Sequence, residues 1–263
     1  MIFAKHNIHL LVKKIGFPHL SAIIISVGLA VSAQAEPLEV SADNQLLWDQ
    51  TQNLYQADGN AIAIRGAQEI AADTLSAFYD DKNQTQNITR ILAERNVQFS
   101  DSELTGSGER LDYNIALDLY DLKGPGAVVN SKDGKARADE TLTFNRQDGM
   151  IYLRGNGEII LSDGRLLKGD EIDITLDEAE EIKTVSAKGD VFISQTDGRQ
   201  ANADEGVYET KTGKAILTGN VKIKDGDSIL NGQKAEIDFN KGISRLLASD
   251  NGGRVSGILV DTQ

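Results

Sequence analysis

The sequence lacks the side chains on which most metal and nucleophilic chemistry depends. There is no cysteine among its 263 residues, and the three histidines, His6, His9 and His19, all lie near the amino terminus. Without cysteine the chain has no disulfide, no thiolate metal site and no thiol nucleophile. Beyond His19 it offers neither a Ser-His-Asp triad nor a histidine-based zinc site.

Basic side chains are also scarce. The chain carries 27 Lys and Arg against 40 Asp and Glu, a formal net charge of −13. Nucleic-acid binding depends on cations that neutralise phosphates, and docking to anionic lipid depends on a basic patch. The charge balance argues against both.

The first 35 residues have the organisation of a secretory signal peptide. Three lysines precede the uncharged residues 15–35, which end in the small-x-small triplet Ala33-Gln34-Ala35. An uncleaved anchor is the alternative, because about 20 apolar residues can cross a bilayer. The triplet favours cleavage, which predicts an exported chain of residues 36–263 with a charge of −16, since the leader carries three lysines and no acidic residue. No Ser- or Pro-rich linker interrupts residues 36–263, so we expect one continuous domain there.

A marker position, occupied by Gly in most units, recurs through the exported chain. It falls at residues 59, 95, 124, 155, 189 and 219, which defines about six quasi-repeats of roughly 30–36 residues. Asp-Gly dipeptides punctuate these units, as expected for turns that need positive φ. A repeat of this length indicates units that stack on one another and share a core.

Apolar and polar residues alternate within the units, as at Val221/Ile223 and Ile237/Phe239. Side chains two residues apart share one face of a strand, so we expect about a dozen antiparallel strands with an apolar face. Burying that face predicts an all-β fold, an elongated, twisted, open β-jelly roll or two-sheet sandwich. The two strands of each hairpin would then lie in opposing sheets. A right-handed parallel β-helix is the alternative, although its coils are usually shorter than these units.

The inward-facing apolar residues form the candidate binding set. The set could equally be a packed core, and only as a whole does it constitute a site hypothesis. Its members are Ile62, Ile64, Leu75, Val97, Phe99, Leu111, Tyr113, Leu142, Phe144, Ile172, Ile174, Val191, Ile193, Val221, Ile223, Ile237 and Phe239.

Two ends of an open stack present unpaired strand edges. Strand addition between subunits at such edges would extend the sheet head to tail; alternatively, Pro37 and a charged turn at 250–254 protect them. The candidate edge residues are Leu38, Val40, Leu46 and Trp48 at one end and Leu246, Val255 and Ile258 at the other.

Paired carboxylates at 139/140, 170/171 and 204/205 raise the possibility of a glycosidase or polysaccharide lyase. Catalysis needs one such pair, whereas these recur at one repeat position. Their recurrence indicates that these carboxylates lie in turns or on the solvent-exposed face of the strands. We therefore expect no enzymatic activity, no cofactor and no metal. A purely structural surface module remains a further alternative.

The ordered series of motifs resembles a known family. Leu217-Thr-Gly-Asn-Val221, the segment Ala235-Glu-Ile-Asp-Phe239 and the opening Leu38-Glu-Val-Ser-Ala-Asp43 are similar to the OstA-like repeats of lipopolysaccharide (LPS) transport proteins. The resemblance implies a periplasmic carrier or bridge that holds LPS acyl chains in an apolar groove between the inner and outer membranes. It also implies LptC-like inner-membrane and LptD-like outer-membrane partners and head-to-tail self-association. An LptC-like membrane-anchored component is the alternative within the family, and a secreted β-helix protein is the alternative outside it.

Overall fold

The computed structural model describes residues 38–82, 85–102, 104–132, 134–178, 181–241, 243–248, 254–258 and 260. Within these ranges the chain forms 18 strands, all joined by antiparallel pairing into one sheet. The prediction of an all-β fold is confirmed. Among the described residues, no helix has the length and apolarity needed to cross a membrane. The predicted leader, residues 1–35, lies outside the described ranges.

Ten long strands lie in two groups, with groups of short strands before, between and after them. The strands are β1 (Glu39–Ser41), β2 (Gln45–Asp49), β3 (Leu54–Arg65), β4 (Gln68–Lys82), β5 (Thr85–Ser100), β6 (Leu104–Asn114), β7 (Leu119–Lys123), β8 (Ala127–Ser131), β9 (Gly134–Ala138), β10 (Thr141–Asn145), β11 (Met150–Leu161), β12 (Leu166–Leu176), β13 (Ile182–Ser194), β14 (Gln200–Glu209), β15 (Lys214–Asp225), β16 (Ser228–Asp238), β17 (Ile243–Leu247) and β18 (Ser256–Ile258).

Most long strands bend at a β-bulge near their middle. Pairs such as Gly155-Asn156 and Gly219-Asn220 have positive φ, and the strand register shifts beside them. These pairs stand at the marker position seen in the sequence, so the marker is a bend within a strand. A Cβ on Gly157 would lie 3.1 Å from that of Leu153. Four residues of straight strand would span about 13 Å, so β11 folds back on itself at this bend.

The bends give the sheet two facing walls. The first wall carries an inward row in cross-strand register from Leu46 on β2 to Leu246 on β17. The second wall carries a row from Val40 on β1 to Gly257 on β18. Residues of both rows belong to one buried cluster, so the walls share a core.

The placement of hairpin strands differs from the prediction. The two strands of each long hairpin pair with each other on both sides of the bend and lie side by side in both walls. The long strands themselves connect the walls. Alternation alone could not distinguish these arrangements, because both place the same residues inward.

The interior is closed along the middle of the molecule. Leu153, Ile172, Val191, Leu217 and Val221 are each at most 1% exposed. These residues form a packed core, so the continuous groove suggested by the candidate set is replaced by a closed middle with a cavity at one end.

Candidate functional site

An apolar cavity of about 460 Å³ opens between the two walls at the amino-terminal end. Both halves of β3, β4 and β5 contribute to it, and β1, β2 and β6 complete its sides. Its apolar lining comprises Leu38, Val40, Leu46, Leu47, Tyr55, Ala57, Ala63, Ile70, Leu75, Ala77, Ile88, Ile91, Phe99, Leu111, Tyr113, Ile115 and Tyr120. The volume lies within the range of small-molecule sites in proteins.

Aromatic rings close the deep end of the cavity. Tyr113 and Tyr120 stack with their ring centroids 4.0 Å apart, and Phe144 lies 6.1 Å beyond Tyr120. Burial raises the pKa of both tyrosines above the ordinary value, so both hydroxyls stay neutral at physiological pH. The Tyr113 hydroxyl donates a hydrogen bond to Asp118 at 3.3 Å. The floor is therefore uncharged and largely apolar.

The mouth of the cavity combines exposed apolar side chains with a polar rim. Leu38, Val40 and Leu46 lie on strands β1 and β2, and each is more than 40% exposed. Arg65 and Glu69 lie on the rim and bring charges of both signs. An amphiphile whose apolar part enters the cavity would thus keep its polar part at the rim or in water.

The structure separates the predicted binding set into groups. Leu75, Phe99, Leu111 and Tyr113 line the cavity. Phe239 packs edge-on against Tyr208, with ring centroids 5.7 Å apart. The other inward members form the packed core or lie partly buried against it, and they are Val97, Leu142, Phe144, Ile172, Ile174, Val191, Ile193, Val221, Ile223 and Ile237.

Ile62 and Ile64 are corrected, because they do not face inward. Ala61 is fully buried and Ala63 lines the cavity, so the alternating isoleucines point to the opposite face of β3. Ile64 is accordingly 38% exposed. The inward side chains of β3 keep the same phase on both sides of the bulge at Gly59-Asn60, from Ala57 to Ala61 and Ala63.

Several residues that line the cavity were not in the binding set predicted from the sequence. Ala63 and Ala77 are small, and Ile91 stands before the bulge of β5. Counting alternation afresh from each Gly-Asn marker would have placed Ala63 inward. Nothing in the sequence indicated that Ala77 lines the cavity, because a small residue inside a strand indicates neither a core nor a cavity.

The predicted edge residues lie at the two ends of the molecule. Within the described ranges, β1 and β2 pair only with β3, and β17 and β18 pair only with β16. Val255 and Ile258 are exposed at the carboxyl-terminal end, where Leu246 is partly buried. At the other end Trp48 stacks on Tyr55 and donates its indole N–H to the Tyr79 hydroxyl at 3.0 Å, yet it remains 51% exposed.

The two ends differ in charge. The amino-terminal edge segment, residues 38–49, carries Glu39, Asp43 and Asp49 and no basic residue. Residues 241–263 carry Lys241, Arg245 and Arg254 together with Asp250 and Asp261. The amino-terminal edge is therefore acidic, whereas the carboxyl-terminal end carries charges of both signs.

The recurring carboxylates support the bends. Asp139 and Asp204 accept hydrogen bonds from the bulge residues Asn156 and Asn220, at 3.0 and 2.9 Å. This accounts for their repetition without a catalytic role. Among the described residues, no group of three or more acidic or histidine side chains could hold a metal ion.

These features define an open-ended β-protein with an apolar cavity at one end. A family model described as "LptA/(LptD N-terminal domain) LPS transport protein" matches residues 39–150 and 140–243. The chain belongs to this family and takes part in LPS transport. The family consists of transport proteins rather than enzymes.

Among solved structures, the chain is similar to LptH, the LptA-homologous periplasmic component of the lipopolysaccharide transport device of Pseudomonas aeruginosa. The two are 15% identical, and the match covers 52% of this chain and 96% of LptH with a TM-score of 0.42. A comparison with curated proteins found no match.

Proposed function

We propose that the protein is a periplasmic carrier that binds LPS acyl chains in its amino-terminal cavity and passes them from the inner toward the outer membrane. The cavity is the observation that carries this proposal, because it is apolar, open at the mouth and continuous with exposed apolar strand edges. Its partners would be LptC-like and LptD-like components, together with further copies of the chain.

Acyl chains would dominate the affinity. Burying one methylene contributes about 0.8 kcal/mol, so ten buried methylenes contribute roughly 8 kcal/mol before ordering costs. Exposed ionic contacts contribute about 0–1 kcal/mol each. Ligand recognition would therefore occur inside the cavity rather than at its rim.

The polar part of LPS would remain in water. Two basic residues of the closed half, Arg154 and Lys168, have acidic partners: Arg154 lies 2.6 Å from Asp173, and Lys168 lies 2.7 Å from Glu158. Both are far from the mouth in the sheet order. Arg65 lines the cavity, so its guanidinium would lie near a phosphate held at the mouth.

The membrane-anchored alternative rests on residues 15–35, which are long enough to cross a bilayer if the leader is retained. Fractionation of cells that express the full chain separates the two forms. Release with the periplasmic fraction supports a cleaved leader, and retention in the inner membrane supports the LptC-like alternative.

A photo-crosslinking amino acid at position 99 tests the carrier proposal, with position 64 as the matched control. Phe99 lines the cavity, whereas Ile64 lies on the outer face of a nearby strand. We expect LPS adducts in cells at position 99 and few or none at 64. A folded variant that captures no LPS at 99, or captures equally at both positions, would contradict the proposal.

A further inference from the structure

A second cavity, lined mainly by polar side chains, lies beside the apolar one. Its volume is about 330 Å³, within the range of small-molecule sites, and we call it the polar depression. Strands β4, β5, β6 and β8 form it. Its lining comprises Glu69, Gln98, Phe99, Ser100, Thr105, Gly106, Ser107 and Asn130.

The polar side chains of the depression point to the outer face of the second wall. Phe99 pairs with Gly106 in the inward row of this wall, and the Phe99 ring packs where a Cβ on Gly106 would lie. The residues that precede and follow them along each strand therefore point outward. These form the cross-strand pairs Glu69 with Ser100, Ser100 with Thr105, Thr105 with Asn130, and Gln98 with Ser107. The depression is thus a hollow on the outer side of the wall that bounds the acyl cavity.

The depression begins at the rim of the acyl cavity. Glu69, Phe99 and Ser100 line both spaces. Glu69 is exposed and stands where the inner surface of the wall meets the outer one. A ligand whose tails fill the cavity and whose polar part emerges beside Glu69 would therefore reach the depression directly.

Short side chains on the two middle strands create the hollow. Ser100, Thr105 and Ser107 stand on β5 and β6, whereas the longer Glu69 and Asn130 stand on the flanking strands β4 and β8. The result is a shallow, water-filled trough with polar sides.

The same outward rows have a different character farther along the wall. On β11 and β12 they carry Ile160, Leu166 and the ion pair of Glu158 with Lys168, 2.7 Å apart. Strands β11 and β12 therefore offer no comparable surface of neutral hydrogen-bonding groups.

The lining suits hydroxyl groups better than phosphates. Hydroxyl and amide side chains both donate and accept hydrogen bonds, as the hydroxyls of a sugar do. No Lys or Arg is among the described residues that line the depression, and Glu69 would repel an anion. The Asn130 amide donates to the Thr105 hydroxyl at 3.4 Å, a long bond that a ligand hydroxyl can replace at little cost.

We propose that the polar depression is a saccharide site, which holds a neutral sugar ring of the same amphiphile whose acyl chains occupy the cavity. The inference rests on the proposed function and deepens it. The sugar would stay in contact with water, so each hydrogen bond to the protein replaces one to solvent and adds little net affinity. Acyl chains would still dominate binding, and the depression would select amphiphiles that carry a sugar.

Two depression variants and one matched control test this site. Thr105→Trp fills the hollow, and the double variant Thr105→Val/Asn130→Ala removes two polar groups without filling it. Gln200→Trp is the control, because Gln200 is an exposed residue of the same outward row on β14, in the closed half. A fluorescent acyl probe is displaced by purified lipid A, or by a long-chain fatty acid that has a tail and no sugar, and thermal unfolding is measured in parallel.

We expect both depression variants to bind lipid A about tenfold more weakly, the effect of one or two lost hydrogen bonds, and to bind the fatty acid normally. The Gln200→Trp protein should bind both ligands like the unmodified protein. Unchanged lipid A affinity in the folded depression variants would overturn the saccharide site and leave the carrier proposal intact. Equal losses for lipid A and fatty acid would also overturn it, because they would show a disturbed cavity. If the unmodified protein bound neither ligand, the carrier proposal would fail and this inference with it.

Two further measurements distinguish the sugar from its neighbours. The tenfold difference should persist at high salt, because no cation lines the depression; a difference that vanishes there would assign the contact to a phosphate and overturn the sugar. The deacylated saccharide of lipid A is titrated by NMR. We expect no saturation at concentrations where lipid A saturates the protein, because the tails are missing. Saturation by the deacylated saccharide there would overturn the link between this site and the acyl cavity.

Discussion

Filling the cavity should abolish most of the lipid affinity without unfolding the protein. Ala77 lies between Tyr55 and Ile91 in cross-strand register and lines the open cavity. In an Ala77→Trp variant, the indole would occupy space that the proposal assigns to an acyl chain. If it excludes four methylenes at about 0.8 kcal/mol each, the binding free energy falls by about 3 kcal/mol, or about 200-fold in affinity.

The assay is displacement of a fluorescent acyl probe by purified lipid A, with thermal unfolding measured in parallel. Val207→Trp is the control, because Val207 is an exposed residue on the outer face of the closed half of the molecule. We expect the control to bind like the unmodified protein. Unchanged affinity in a folded Ala77→Trp protein would refute the assignment of the cavity as the acyl site.

Four further changes probe the core, the end contact, the bends and the ion pairs. Ile172→Ala, at a fully buried position, should lower the free energy of unfolding by about 2–5 kcal/mol in denaturant titrations. Leu46→Asp should weaken self-association at least about tenfold in sedimentation, because it removes a leucine from the proposed contact and adds charge. Gly219→Ala should lower the free energy of unfolding by about 1–3 kcal/mol, since φ at this residue is +77° and the new Cβ would clash with the Asp204 carboxylate. The Arg90 guanidinium lowers the pKa of Asp112, so stability should fall as the pH drops below about 4, and Asp112→Asn should weaken that dependence.

Each of these changes has an outcome that contradicts its premise. An exposed apolar site such as Ile216→Ala should leave stability within about 0.5 kcal/mol of the unmodified protein, so an equal loss at Ile216 and Ile172 would argue against the closed core. Self-association unaffected by Leu46→Asp would exclude that edge from the contact. A Gly219→Ala protein of full stability would show that the bend tolerates a side chain. A pH profile identical with and without Asp112 would assign the acid sensitivity to other carboxylates.

The strand periodicity and the bends could be predicted from the sequence, because both are local. Gly-Asn pairs such as 155–156 and 219–220 mark positive φ wherever they occur, and the structure places a bulge at each. The alternation at Val221/Ile223 likewise identified an inward face correctly. These features depend on backbone conformation over a few residues.

The face of a strand after a bulge was harder to predict. Ile62 and Ile64 have the composition of inward residues, yet they alternate with Ala61 and Ala63, which are the inward residues of this half of β3. The apolar pattern of β3 is therefore shared between alanines on the inner face and isoleucines on the outer one. Composition favoured the larger residues, whereas the alternation that continues from Ala57 places the alanines inward.

Whether the walls are closed or open could not be predicted from alternation. Ile172 and Leu75 both occupy the inward row of the first wall, but Ile172 is packed between neighbours while Leu75 lines the cavity. The difference depends on side-chain volume on the facing wall and on the distance between the walls. Both are tertiary properties that a period of two residues does not encode.

Mass spectrometry of lipid that co-purifies with the exported chain tests the carrier proposal most directly. We expect acylated LPS or lipid A bound to the unmodified protein and to Val207→Trp, and strongly reduced lipid on Ala77→Trp. Purified protein without acylated lipid, from cells that make LPS, would contradict the account. So would lipid that remains bound when the space beside Ala77 is filled.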